Sequence, residues 1–363
     1  MRIQKISILL FFSCLTLSTV TFAAADMLNN TFQLSSENQL DENFNPNIND
    51  FWKKSAQSGS FTGTDNKQIY TISIKTGNNQ AIVISQGRNE STLKYKELAY
   101  DLNRQGYDLY LIDHRGQGFS ERLGGDKYRG HVNQFQDYVD DFNAYVLSLD
   151  LQKNYQHNYL LSHSMGGTIS ALYLEQYQHP FQASLFFSPM FSINLGGIPE
   201  SIAKIIAYSS DEICSWFSDS PCYIFGSSGY KKKSFYDNNL TSSKSRFNSA
   251  FNTFEQYPET QLGSPTMRWV TESISAAQQA RENASNITIP VLVIQAGEDS
   301  VVTAEGQKEF YQNITECSSA QFINIPGANH EILLEADQYR APTLNQALQF
   351  LNKSQQGKLT CTK

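Results

Sequence analysis

Leu161-Ser162-His163-Ser164-Met165-Gly166-Gly167 is the stretch on which the fold turns. The apolar run Asn158 to Leu161 leads into it, and a helical pattern from Met165 to Tyr177 leads out. That is the context of a nucleophile elbow, a sharp strand-to-helix turn that lifts one hydroxyl off the edge of a sheet. The residues two before and two after Ser164 must be small for the helix to pass close to the strand. Here they are Ser162 and Gly166, the first a departure from the usual glycine. A small-x-Ser-x-Gly string arises by chance in roughly a quarter of chains this long when glycine is near 7%. Its weight comes from the strand before it, the helix after it and the partners supplied by later parts of the chain.

A serine hydroxyl needs a base, usually histidine, and the imidazole needs a carboxylate to hold its tautomer. After an elbow these are expected in the chain order Ser, Asp, His, each following a late strand. The run Val291 to Ala296 leads into Gly297-Glu298-Asp299, and Phe322 to Ile325 leads into Pro326-Gly327-Ala328-Asn329-His330. The candidate catalytic residues are therefore Ser164, Asp299 and His330. Glu298 is the rival carboxylate. Asp299 is preferred because Ser300-Val301-Val302 can resume packing directly after it. A developing oxyanion needs backbone donors. The amide of Met165 is one candidate; the amide of Arg88, in the loop Gln86 to Ser91 after the strand-like run Ala81 to Ser85, is the other. An ordinary strand-to-helix turn is the alternative for that loop. The remaining histidines, His114, His131, His157, His163 and His179, read as surface or turn residues. No Cys/His/carboxylate group has metal-ligand spacing, so neither metal nor cofactor is expected.

From Phe51 and Trp52 onward, strand-like and helix-like patterns alternate, the sequence form of an α/β fold. Lys67 to Lys75, Tyr107 to Asp113, Ala183 to Phe187 and Gln321 to Ile325 read as further strands. Helical stripes appear over Leu93 to Leu102, Phe135 to Leu149 and Ala341 to Leu351. Residues 192–264 break the rhythm. Their apolar members, among them Ile202, Ile205, Ile206, Trp216, Phe217, Tyr223, Phe225 and Tyr230, suit an inserted, mostly helical cap over a finished sheet. The implied organisation is a flexible arm over 26–50, a core over 51–191 and 265–363, and a cap over 192–264. The cap aromatics are expected to line an acyl tunnel. Lys231-Lys232-Lys233 reads either as a solvated basic run or as a lure for a head-group phosphate.

Composition sets limits. Of 363 residues 40% are hydrophobic and 17% charged, enough to build a sizeable core. With 35 acidic against 28 basic residues, nucleic acid is not an expected partner. Residues 1–25 read as a signal peptide: Arg2 and Lys5, an apolar stretch Ile6 to Val20, and Ala23-Ala24-Ala25 before Asp26. Beyond it no apolar run approaches the ~20 residues of a membrane span. The expected location is periplasmic or secreted. Cys14 leaves with the leader, and Cys214, Cys222, Cys317 and Cys361 remain, an even set suited to an oxidising compartment. Three pairings are open, with Cys214–Cys222 and Cys317–Cys361 favoured by proximity in the chain.

Several strings together resemble a known family. They are Gly87 to Ser91, Asp113-His114-Arg115-Gly116-Gln117-Gly118-Phe119-Ser120, Gly130-His131-Val132, His163 to Gly167, Pro265 to Val270, Gln295 to Val302 and Asn329-His330-Glu331. Over about residues 50–352 the chain resembles the lysophospholipase and monoacylglycerol-lipase branch of the α/β-hydrolases, within the serine aminopeptidase-like superfamily. The resemblance implies an α/β-hydrolase fold, with a mostly parallel central sheet, helices on both faces and a cap. It assigns Ser164, Asp299 and His330 to the triad and the amides of Arg88 and Met165 to the oxyanion hole. It implies a single-chain lipid as substrate, a lysophospholipid or monoacylglycerol, with transient membrane contact through the cap. Two other readings stay open: an aminopeptidase or proline iminopeptidase using Asp211, Glu212 or Asp219 to hold an ammonium, and a non-catalytic exported binding protein.

Overall fold

The computed structural model describes residues 30–40 and 44–361. The leader over 1–25 and the start of the arm lie outside the described residues. In chain order the main elements are α1 (Pro46–Ser55), β1 (Ala56–Thr62), β2 (Gln68–Ile74), β3 (Gln80–Ser85), α2 (Lys96–Arg104), β4 (Tyr107–Ile112), α3 (Gln136–Ser148), α4 (Leu151–Asn154), β5 (His157–His163), α5 (Met165–Gln176) and β6 (Ala183–Phe187). After these come α6 (Glu200–Ser215), α7 (Lys244–Gln256), α8 (Met267–Asn283), β7 (Val291–Ala296), α9 (Ala304–Asn313), β8 (Gln321–Ile325) and α10 (Asp337–Gln355).

The strands form one eight-stranded sheet in the order β1-β2-β4-β3-β5-β6-β7-β8. The β1–β2 and β2–β4 pairs are antiparallel and all the others are parallel. The central strands are buried on both faces, so they read as continuous apolar runs whose residues still divide by alternation. Val83, Leu160, Phe186 and Val293 enter the core beneath α3, α5 and α9. Ile82, Ile84, Tyr159, Leu161, Leu185, Leu292 and Ile294 enter the opposite core beneath α2 and α10.

Two sequence expectations are corrected here. β1, Ala-Gln-Ser-Gly-Ser-Phe-Thr, is a strand that the sequence did not announce. It is an exposed edge strand with no apolar alternation to reveal it, and pairing with β2 alone defines it. The arm is not a loose tether over its described part. Leu34, Phe44 and Ile48 are buried, and the Ser35 amide and hydroxyl donate to Asp101 Oδ1 at 2.8 and 2.7 Å. Glu37 and the start of α10 clasp each other: Glu37 N donates to Asp337 Oδ2 and Asp337 N to Glu37 Oε2, both at 2.9 Å. The polar composition that suggested flexibility is spent on these bonds. The buried guanidinium of Arg246, on α7, joins the same junction through Glu97 at 2.9 Å, Asp337 at 2.8 Å and Ser35 O at 3.3 Å. Arm, cap and last helix therefore meet at one polar bolt.

The 192–264 segment lies over the carboxyl ends of the strands and carries α6 and α7. Cys214 is bonded to Cys222 and Cys317 to Cys361. Among the described residues no helix is long and apolar enough to cross a membrane.

Candidate active site

The elbow is built by close approach. Ser164 has φ 51° and ψ −121°, a strained conformation for a non-glycine residue. Three backbone bonds hold it there: its amide donates to Phe187 O at 3.1 Å, and its carbonyl accepts from Gly167 N at 2.8 Å and Met190 N at 2.9 Å. Gly166 is obligatory, since a Cβ there would lie 2.1 Å from the carbonyl oxygen of Ser85. Ser162 is fully buried beside β6 and its Oγ donates to Leu185 O at 3.3 Å, so a hydroxymethyl group fits where glycine is usual.

The structure brings the three separated residues together. His330 Nε2 is 2.9 Å from Ser164 Oγ, and His330 Nδ1 is 2.8 Å from Asp299 Oδ2. The other carboxylate oxygen of Asp299 accepts from the amides of Val301 at 2.8 Å and Val302 at 3.0 Å. Burial pushes that carboxyl up, but His330 and the two amides outweigh it and hold it below the usual range. Glu298, the rival, is exposed. The line hydroxyl–imidazole–carboxylate is one that can pass a proton from Ser164 to His330 while Asp299 stays ionised.

Met165 opens α5, where the first amides have no intrahelical acceptor. The Arg88 loop is fixed from every side. Gly87 N donates to Glu90 Oε2 at 2.6 Å, Gln117 Nε2 to Gly87 O at 2.7 Å, Asn89 N to Gln117 Oε1 at 3.2 Å and Thr92 N to Asp113 Oδ1 at 2.6 Å. The Asp113 to Ser120 string is thus the scaffold of this loop. Burial raises the Asp113 carboxyl to about 6, against bonds from Phe119, Gln86 and Thr92. Gly118, at φ 55°, leaves room for it, because a Cβ there would lie 2.1 Å from Asp113 Oδ2.

Three histidines are corrected from surface to interior. His114 is fully buried with Nε2 at 3.0 Å from Ser85 Oγ, and burial lowers it to about 3. His131 is buried between Thr266 and Asn133, at 3.0 and 2.9 Å, tying a core loop to the exit of the cap. His163 is buried with Nδ1 at 2.9 Å from Glu90 Oε1 and Nε2 at 3.2 Å from the carbonyl of His330. Burial pulls its imidazole down, but Glu90 and Glu331 prevail and raise it. Lys94 completes the cluster, with Nζ 2.6 Å from both Glu90 and Glu331. The sequence assigned no catalytic role to Glu90, Lys94, His163 or Glu331, although Glu90, His163 and Glu331 lie within quoted strings and Lys94 follows one. Glu90, His163 and Glu331 are close enough to share a metal ion, but the Lys94 ammonium already meets their charge.

Above Ser164 lies a cavity of about 280 Å³. Its apolar wall includes Met190, Ile193, Phe247, Phe251, Phe254 and Trp269. The cap contributes Ile193, Leu240, Thr241 and one face of α7, residues 247, 250, 251 and 254. The aromatics Trp216, Phe217 and Phe225, expected to line a tunnel, face outward instead, and Ile202, Ile205 and Ile206 are exposed as well. They lie before α7, where no layer covers them. Lys231 to Lys233 are exposed outside the cavity, with Lys232 3.3 Å from Glu255.

Comparison with known proteins agrees with this architecture. The family described as serine aminopeptidase, S33, matches residues 76–337. Lysophospholipase L2 of Escherichia coli K12 is 34% identical over 315 residues, covering 84% of this chain and 90% of that protein. Probable lysophospholipase L2 of Haemophilus influenzae is 32% identical over 271 residues, covering 75% and 83%. A soluble variant of monoglyceride lipase from Saccharomyces cerevisiae superposes with a TM-score of 0.61 at 18% identity, covering 83% of this chain and 96% of its own. The chain is a hydrolase that belongs to the serine aminopeptidase-like (S33) family of α/β-hydrolases, in its lysophospholipase and monoacylglycerol-lipase branch.

Proposed function

We propose that this protein is an exported serine carboxylic-ester hydrolase that releases a fatty acid from single-chain phospholipids or monoacylglycerols through an acyl-enzyme. The observation that carries the reading is the Ser164–His330–Asp299 line opening into a cavity walled by aliphatic and aromatic side chains. His330 takes the Ser164 proton as Oγ attacks the acyl carbonyl, and the amides of Arg88 and Met165 receive the oxyanion. His330 then protonates the leaving alcohol. Water enters, gives its proton to His330, attacks the acyl-enzyme, and the fatty acid leaves as Ser164 is restored. Each methylene buried against the α7 wall is worth ~0.8 kcal/mol, which favours a long acyl chain over a peptide. The aminopeptidase reading is disfavoured, because Asp211, Glu212 and Asp219 do not line the cavity, and the first two are paired with Arg268 at 2.7 and 3.6 Å. Residues 26–363, assayed on lysophosphatidylcholine, monoacylglycerol, short aryl esters and aminoacyl anilides, should cleave the long-chain esters fastest. Cleavage of the anilides alone would reject the proposal.

Export is supported by the two disulfides, which persist in oxidising compartments. Membrane contact is supported by exposed apolar side chains of the cap: Trp216 and Phe217 are 75% and 83% exposed, and Ile202, Ile205 and Ile206 on α6 are exposed too. Replacing both Trp216 and Phe217 by serine should weaken sedimentation with phosphatidylcholine vesicles about tenfold, while hydrolysis of a soluble aryl ester persists. Equal binding by variant and parent would remove the cap from membrane docking.

A further inference from the structure

Arg88 has a side chain that the oxyanion role of its amide does not use. The guanidinium runs beneath the cap exit. Nη2 donates to Gly263 O at 2.7 Å, and the guanidinium carbon sits 5.1 Å from the centre of the Trp269 ring. Gly130 makes room for it, since a Cβ there would lie 2.1 Å from Nη2. The fully buried arginines each have a carboxylate: Arg115 with Asp137 and Asp141, Arg246 with Glu97 and Asp337, Arg281 with Glu200 and Glu309, Arg340 with Asp101. Half-buried Arg122 has none, but it lies away from the cavity and is held by the carbonyls of Gly118 and Glu259. Lys94, the other cation on the cavity wall, has Glu90 and Glu331. Arg88 differs. Among the described residues no carboxylate lies within ion-pair distance of it, and its Nε is buried with no acceptor. Desolvation lowers the guanidinium to about 10, with only Tyr138 and Tyr223 opposing. A desolvated cation costs free energy unless an anion meets it. Here it stands on the wall of the cavity that holds Ser164, on the residue next to Gly87, where a Cβ would lie 3.0 Å from that of Ser164.

We propose that the Arg88 side chain, packed on Trp269 and left without a carboxylate, is the subsite for the head-group phosphate of a single-chain phospholipid substrate. The guanidinium fork matches two phosphate oxygens and gives geometry as well as charge. The inference rests on the acyl-ester reading and sharpens it. Phosphate-bearing substrates are preferred over neutral glycerides, and the determinant lies in the oxyanion loop rather than in the exposed lysines of the cap.

The test compares kcat/KM on lysophosphatidylcholine and on a monoacylglycerol with the same acyl chain. Arg88→Met should lower the ratio of the two roughly ten- to a hundredfold, mainly through KM for the phospholipid, as loss of a charge-assisted hydrogen bond would. Arg88→Lys, which keeps charge but not the fork, should recover part of it. Equal losses on both substrates would mean that the side chain only holds the loop to the cap, and would overturn the proposal. If Arg88→Met does not fold, Gly130→Ala, which crowds the guanidinium, must lower the same ratio; an unchanged ratio would also overturn it. With the parent protein, glycerol phosphate should inhibit phospholipid cleavage more strongly than inorganic phosphate at equal ionic strength. The reverse order would assign the site to a free ion instead of a head group. Failure of the parent protein on both lipids would sink the acyl-ester reading itself, a result distinct from a changed or unchanged ratio.

Discussion

Ser164→Ala should leave a folded protein whose kcat on long-chain esters is lower by about 10⁴- to 10⁶-fold. In the proposed acyl-enzyme mechanism this hydroxyl forms the covalent bond, with His330 Nε2 at 2.9 Å to take its proton. Because the members act as a unit, a Ser164→Ala/His330→Ala double variant should be scarcely worse than either single one. Asp299→Asn should cost about 10⁴-fold, since an amide no longer selects the Nδ1–H tautomer or stabilises the imidazolium. Steady-state hydrolysis and labelling by a fluorophosphonate check all three. A Ser164→Ala protein retaining a tenth of the parent activity would end the assignment. A parent protein that takes no label would favour a binding protein that keeps only the fold.

The second large effect is expected at Glu90, which no motif reading singled out. Its carboxylate accepts from Gly87 N at 2.6 Å and from the Tyr95 hydroxyl at 2.6 Å, and it pairs with Lys94 and His163 at 2.6 and 2.9 Å. One side chain therefore sets the oxyanion loop, the elbow and, through Lys94 and Glu331, the loop bearing His330. Glu90→Ala leaves a buried ammonium partly uncompensated and should cost about 3–5 kcal/mol of stability. Loosening of the Gly87 turn should lower kcat by about a hundredfold or more, the worth of one oxyanion donor. Glu90→Gln, which can still accept from Gly87 N, should keep more kcat than it keeps stability.

The cluster also dictates a pH dependence. Burial raises the Glu90 carboxyl, but Lys94 and His163 overcome this and hold it well below its usual range. Its contribution is present above the unfolded value and is lost as pH falls through the folded one. His163 is raised, so its contribution is full below its unfolded value and fades as pH rises through the folded one. The cluster is therefore strongest between about pH 4.5 and 6.5. Thermal unfolding followed across pH should show a maximum there that Glu90→Gln flattens. An identical profile in the two proteins would refute the linkage.

The chain order Ser164, Asp299, His330 was legible because each follows a short apolar run; β5 and β7 are buried on both faces, and even the half-buried edge strand β8 keeps such a run. The runs fall within β5, β7 and β8, and that of β7 matches its strand end to end. β1 was not legible, because an exposed edge strand carries no apolar code. Nor was the Glu90 cluster: Lys94 and Glu331 are 237 residues apart, and charge pairing at that separation leaves no periodicity. The aromatic surplus of the cap was visible, but not which half faced inward. A helix with an inward face and a helix with a bare outer face have the same period.

The bolt at Arg246 joins residues made early in translation, Ser35 and Glu37, to Asp337 near the end. The roof of the cavity cannot be fully fastened until α10 has emerged from the ribosome, so the nascent protein carries that cavity open. Contacts this distant in sequence form slowly. Phe247, Phe251 and Phe254 stay uncovered during that interval, and losing Ser35 and Glu37 would strip the bolt to its bonds with Glu97, Glu335 and Asp337.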